Sequence, residues 1–171
     1  MKALWLLVVV GFLGAGLAFG DPLIDGKVGV GEYAHTLSVL SGSGVLSWAP
    51  DASGGLSVAV SAKTSGWVAV GLGTKRMSGS TIYIGFVGSD GKAVFSEQAG
   101  KGHRHVDAAS SSVDKSAVAR SGASTVVEFH LVAGKLPFTG KSVPFIVAFG
   151  SSADLTTFHE DNSDSGTFVL P

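Results

Sequence analysis

The chain contains no cysteine. That absence excludes disulfides, a lipid-bearing N-terminal cysteine and the C-x-x-C-H attachment of c-type cytochromes. The fold must therefore be held by its core alone, and about 150 residues are enough for one core. Charge is sparse as well: charged residues make up 15% and the net charge is −1. Lys75-Arg76 is the only adjacent basic pair, so the chain lacks the basic stripe of a nucleic-acid binder and none is expected as a partner. Catalytic signatures are missing too. There is no G-x-S-x-G, no H-E-x-x-H and no G-x-G-x-x-G opening a helix. No segment sustains a helical period; "VDKSAVAR" reads either as a turn or two of helix or as an edge strand. Methionine is almost absent: apart from the initiator, Met77 is the only one.

The first twenty residues have the order of a secretory signal. Lys2 precedes a mostly apolar run from Leu4 to Leu13, and Ala18-Phe19-Gly20 forms a small-x-small cleavage site. The run is short for a membrane span of about 20 residues. Cleavage before Asp21 is expected, leaving residues 21–171 as one exported domain, periplasmic or extracellular, with no membrane attachment after cleavage. Within it, "GGLSVAVSA", "GWVAVGLG", "STIYIGFVG", "KAVFSEQ", "STVVEFHLV" and "VPFIVAFG" are short runs rich in β-branched and aromatic residues, separated by Gly, Ser, Asp and Pro. Ser89-Asp90-Gly91 is a hairpin turn signal. Ile82, Ile84 and Phe86 share a face at period two, opposite Tyr83 and Gly85. Val127, Phe129 and Leu131 likewise oppose Glu128 and His130, which form a polar face. Many short strands in one domain indicate an all-β antiparallel sandwich. The expected core is Trp67, Val68, Val70, Ile82, Ile84, Phe86, Val127, Phe129, Ile146 and Ala148, with Trp48, Tyr83, Phe149 and Phe158 as further aromatic packing or pocket lining.

Met77 lies in a loop of Gly, Ser, Thr, Lys and Arg between two of these runs. A thioether there is either ordinary packing from the loop or a soft metal ligand. His159 follows "FIVAFG" and is by default a solvated loop residue. His130, beside Glu128, reads as solvated or ion-paired, and His35 as a surface residue. In "GHRHVD" the i, i+2 spacing puts His103 and His105 on one side of an extended strand, in phase with Asp107: half of a zinc or copper site, without a fourth ligand. Glu160, Asp161 and Asp164 are close together but lack D-x-D-x-D-G calcium-loop spacing, so they read as a solvated acidic rim.

The order of segments carries a resemblance. "IDGKVGVGEYAHTLSV" is followed by "GWVAVGLG", then by Met77 before "IYIGFV", then by "HRHVD", "VEFHLV" and "IVAFGSSADLTTFHEDNSDSG". This order, over nearly all of residues 22–171, resembles the DOMON domain in its heme-binding form, also found as the cytochrome domain of cellobiose dehydrogenase. The resemblance implies an Ig-like β-sandwich and a non-covalent heme b held between a methionine and a histidine, here Met77 and His159. Such a domain passes single electrons to or from a redox partner, a dehydrogenase or a membrane cytochrome, and is not itself an enzyme. It further implies that the "HRHVD" segment borders the heme, with one histidine near a propionate. Other DOMON domains bind no heme and have been proposed to bind sugars. A heme-free carbohydrate- or small-ligand-binding module is therefore the alternative.

Both ligands would lie beside strand material at what could be one end of the sandwich. Thioether and imidazole are established axial donors to heme iron. With both positions filled by protein, electron transfer is favoured over oxygen or peroxide chemistry.

Overall fold

The computed structural model describes residues 20–155, 157, 159 and 162–171. The signal-like segment therefore lies outside the described residues but for Gly20, as do Phe158, Glu160 and Asp161. Eleven strands follow one another: β1 (His35–Val39), β2 (Gly44–Pro50), β3 (Leu56–Ala62), β4 (Val68–Leu72), β5 (Thr81–Val87), β6 (Ala93–Lys101), β7 (Arg104–Asp107), β8 (Val113–Ser121), β9 (Ser124–Leu131), β10 (Ser142–Phe149) and β11 (Ser163–Val169). They form a five-stranded sheet in the order β1-β2-β3-β9-β8 and a six-stranded sheet in the order β11-β10-β4-β5-β6-β7. All neighbours pair antiparallel. This is the expected all-β sandwich, and "VDKSAVAR" resolves to the edge strand β8. Ser89-Asp90-Gly91 does turn β5 into β6, with Gly88 N–H bonded to the Lys92 carbonyl at 2.8 Å and Gly91 at φ +78°. Among the described residues, no helix is long and apolar enough to cross a membrane.

The core between the sheets differs from the expectation in a way that matters for the site. Val68, Val70, Val127 and Phe129 do lie there, with Leu72, Tyr83, Val143, Phe145 and Val147. Tyr83 rather than its neighbours points inward, stacking on Phe129 at 4.2 Å between ring centres. Its hydroxyl reaches Ser112 Oγ at 2.8 Å, so the buried oxygen is not left unpaired. Alternation along the strand then turns Ile82 and Ile84 to the opposite, outer face of the sheet. There they pack with Trp67 and Ala69 as a second apolar cluster, flanked by Met77, Phe86, Ala148 and Leu155. Ile146 and Ala148 also face outward, alternating with buried Val147. The six-stranded sheet is thus apolar on both faces, whereas an antiparallel sandwich sheet normally presents polar residues outward.

The outer face of the five-stranded sheet is covered as well, by the segment preceding β1. Glu128 is fully buried. It accepts hydrogen bonds from the Tyr33 hydroxyl at 2.9 Å, Gly26 N–H at 2.6 Å and Asp25 N–H at 3.2 Å. Burial raises its pKa against those stabilising bonds. The polar face expected around Glu128 is therefore an anchoring point for the N-terminal segment, not a solvated surface.

Candidate functional site

The outer face of β4, β5 and β10 forms the floor of a groove. Ala69, Gly71 and Ala148 keep the floor low, and Trp67, Ile82, Ile84 and Ile146 make its walls. The hollow over this floor is a shallow one of about 50 Å3, and an adjoining one toward the β6–β7 hairpin holds about 320 Å3. The adjoining hollow reaches the lower end of the size range of small-molecule and cofactor sites, which are likewise mostly apolar.

Met77 and His159 both line the two hollows. The structure brings them together as the sequence suggested, but from opposite ends of the sheet rather than one end. Leu72 pairs with Phe145 and Val68 with Phe149. The loop after Leu72, which carries Met77, therefore starts where the sheet's other end holds the loop after Phe149, which carries His159. Four strand steps of about 3.3 Å separate these ends by roughly 13 Å. Antiparallel pairing decides this, because two strands that both lead into ligand loops run in opposite directions.

Small residues let each loop lie down on the sheet. A Cβ on Gly100 of β6 would sit 1.8 Å from the Met77 carbonyl oxygen, so only glycine admits the loop there. Gly79 N–H bonds the Gly100 carbonyl at 3.0 Å, and Gly100 N–H bonds the Ser80 carbonyl at 2.9 Å. Within the loop, the Thr74 and Ser80 hydroxyls both donate to the Arg76 carbonyl at 2.6 Å. The loop's small polar residues are thus spent on its own backbone, and Met77 is left to pack on the apolar floor. At the other end, a Cβ on Gly150 would lie 2.3 Å from Trp67 Nε1, so this glycine makes room for the indole. Trp67 Nε1 donates to the Thr157 hydroxyl at 3.0 Å, and that hydroxyl donates to the Asp154 carbonyl at 2.8 Å. Asn162 N–H closes the turn on the His159 carbonyl at 3.0 Å.

The remaining histidines separate. His105 lines both hollows, and its Nδ1 is hydrogen-bonded to Gln98 Oε1. His103 lines only the outer hollow. The expected neighbourhood of "HRHVD" and the groove is therefore real, but no group of three or more His, Cys, Asp or Glu residues that could hold a metal exists among the described residues. His130 is ion-paired, as expected, to Asp51 at 2.8 Å and Asp114 at 2.6 Å, on the other sheet. His35 is half-buried and stacks on Trp48 at 5.3 Å. Asp164, exposed at the start of β11, accepts from Leu40 N–H at 3.0 Å, while the other two acids of the expected rim, Glu160 and Asp161, lie outside the described residues. The floor residues Ala69, Gly71 and Ala148 were not singled out as site residues by the sequence. Their one signal is that runs such as "WVAVG" stay apolar at every position, the pattern of a strand covered on both faces.

These features define a class: antiparallel sandwiches with an apolar groove on the outside of one sheet, flanked at both ends by loops. Solved structures share the fold, among them two cytochrome domains. The cytochrome b domain of pyranose dehydrogenase from Coprinopsis cinerea superposes with a TM-score of 0.60 at 17% identity, over 78% of this chain and 80% of that one. The cytochrome domain of Myriococcum thermophilum cellobiose dehydrogenase does so with a TM-score of 0.52 at 14% identity, over 75% of each chain. At such identities the likeness is one of fold. No protein-family model matches the sequence, and no curated protein is a significant sequence match.

Proposed function

We propose that this chain is an exported b-type heme domain that relays single electrons, with Met77 and His159 as axial ligands of one non-covalent heme. The observation that carries this reading is the convergence of the only non-initiator methionine and a histidine, from opposite ends of the sheet, on one apolar groove. The residues fit the group. A flat apolar macrocycle would need room against the sheet, which the small residues Ala69, Gly71 and Ala148 leave, and a soft and an imidazole donor on opposite sides of it, which Met77 and His159 would supply from opposite ends of the groove. When bound, the heme supplies one-electron chemistry at iron, and a thioether ligand favours the ferrous state. Trp67, Ile82, Ile84 and Ile146 would keep water from the bound group, and Met77 and His159 would be its two iron ligands. The fold shared with two cytochrome domains supports the same reading.

At the Met77 end the groove opens beside Lys75, Arg76, Lys101 and Arg104, all exposed and in no ion pair among the described residues. A redox partner, a dehydrogenase or membrane cytochrome, would meet this mouth with an acidic surface. The sugar-binding alternative fits less well. Trp67 is 4% exposed and offers no open face for stacking, and the floor has few polar groups to match hydroxyls.

Purification of the exported protein tests the reading. It should begin at Asp21 and, on addition of hemin, show a six-coordinate low-spin spectrum whose Soret band moves on dithionite reduction. His159→Ala should lose the heme on gel filtration, because no cysteine tethers the porphyrin. A wild-type protein that takes up no hemin, but whose tryptophan fluorescence shifts with a saccharide, would establish the alternative.

A further inference from the structure

The groove has more donors than one heme needs. His159 stands at one end, but two donors stand at the other. The β6–β7 hairpin closes at the Met77 end of the sheet, since Thr81, the first residue after the Met77 loop, pairs with Ala99. His105 is the direct partner of Gly100, the glycine on which the Met77 backbone rests. Met77 and His105 thus flank the same point of the sheet, and both line the two hollows that His159 lines from across the groove.

His105 is held in place by its neighbour. Gln98, only 7% exposed, turns its amide oxygen to His105 Nδ1. With the amide oxygen as acceptor, the tautomer that makes this bond has its proton on Nδ1, and Nε2 is the nitrogen left to face a metal. Histidines that ligate metals are held in this manner, with the non-ligating nitrogen donating to an oxygen acceptor. A solvated surface histidine has no need of a buried glutamine.

Resting on the heme reading above, we propose that His105 is a second donor for the axial position that Met77 serves, so that loss of the thioether yields a bis-imidazole centre instead of an open one. In the exchange one iron–sulfur bond breaks and one iron–nitrogen bond forms. No electron moves, and in the tautomer bonded to Gln98 no proton has to leave Nε2. Imidazole lacks the thioether's preference for ferrous iron, so the exchanged centre has the lower midpoint potential. The site stays closed to small ligands in both forms.

The test uses the hemin-loaded full-length domain and compares wild type, Met77→Leu, Met77→Leu/His105→Ala and Met77→Leu/His130→Gln, with far-UV circular dichroism confirming the β-fold of each. Met77→Leu should remain six-coordinate and low-spin, bind no carbon monoxide when reduced, and have a lower midpoint potential than wild type. Met77→Leu/His105→Ala should become five-coordinate and high-spin and bind carbon monoxide. Met77→Leu/His130→Gln should behave as Met77→Leu. A Met77→Leu protein that is itself high-spin and binds carbon monoxide overturns the proposal, as does a Met77→Leu/His105→Ala protein that stays low-spin. Either result leaves the heme reading standing, since the wild type would still be loaded. A wild type that takes up no hemin removes both.

Discussion

His130 lies between two carboxylates, with Nε2 on Asp51 and Nδ1 on Asp114. Both nitrogens face acceptors, so the ring is protonated when the clamp is made. Burial alone would lower its pKa, but the bonds to Asp114 and Asp51 outweigh that and raise it above the ordinary value of 6.5. For Asp51, burial pulls upward, yet its bonds to Ser53, His130 and Gly55 bring it well below the ordinary 3.8. Asp114 is lowered chiefly by the bond to His130. The raised histidine contributes stability that is complete below pH 6.5 and is lost as pH rises through its folded pKa. The lowered aspartates contribute stability that is present above about pH 4 and is lost as pH falls through theirs. The clamp, which ties the β2–β3 turn to β8 and β9, should therefore be strongest between those limits. His130→Gln should cost about 1–2 kcal/mol near pH 6, discounted because Asp114 is half exposed. It should also flatten the alkaline limb of a plot of melting temperature against pH, leaving the heme spectrum unchanged. An unaltered alkaline limb would show that the clamp stays uncharged.

At the scale of elements, the site depends on how the loop of residues 73–80 seats on β6. Gly100 is at the contact, and the atom a Cβ would strike belongs to the backbone of Met77, which cannot rotate away. Gly100→Ala should therefore lift the loop instead of being absorbed by a side chain. The expected outcome is a destabilisation of about 1–3 kcal/mol in a denaturant titration, together with weaker hemin retention. His105, on the adjacent strand and not in the loop, would keep its bond to Gln98. Gly91→Ala, at a turn where a Cβ meets nothing, should cost stability through its φ of +78° but leave hemin retention intact. Equal loss of hemin in both variants would mean that the loop is not seated by Gly100.

At the scale of the whole molecule, a net charge of −1 conceals an uneven distribution. Lys75, Arg76, Lys101 and Arg104 gather where the loop of residues 73–80 meets the β6–β7 hairpin, held together by the Gly79–Gly100 bond and by Gly102 N–H to Ser78 Oγ at 3.3 Å. Stopped-flow reduction of the hemin-loaded protein should be faster with an anionic one-electron reagent than with a cationic one of similar driving force. The gap should close as salt rises, since screening is effective within about 10 Å at 0.1 M. Reversal of the four charges to glutamate should invert the preference. Rates independent of reagent charge at low salt would place the electron entry point elsewhere.

The sequence by itself determined the fold class, because β-branched runs between Gly and Asp turns admit few other architectures and the absence of helical periodicity removes the main competitor. It also singled out Met77, by its rarity, and His159, through the resemblance of the surrounding segments. Strands with mixed composition were less legible: Ser in β1, Gly and Ser in β2, and Gly, Ser and Asp in β11 stand at positions that only their neighbours' hydrogen bonds make extended. Tertiary structure alone decided which side of each strand faces the core. Ile82, Ile84 and Tyr83 are all apolar enough for either face, so alternation could not say that the isoleucines belong to the groove and the tyrosine to the interior. It alone decided, too, that Met77 and His159 approach from opposite ends, that Gly100 is the seat of one loop, and that His105 stands beside Met77. Such relations arise from strand order and register, which join residues far apart in the chain, and no local pattern of side chains encodes them.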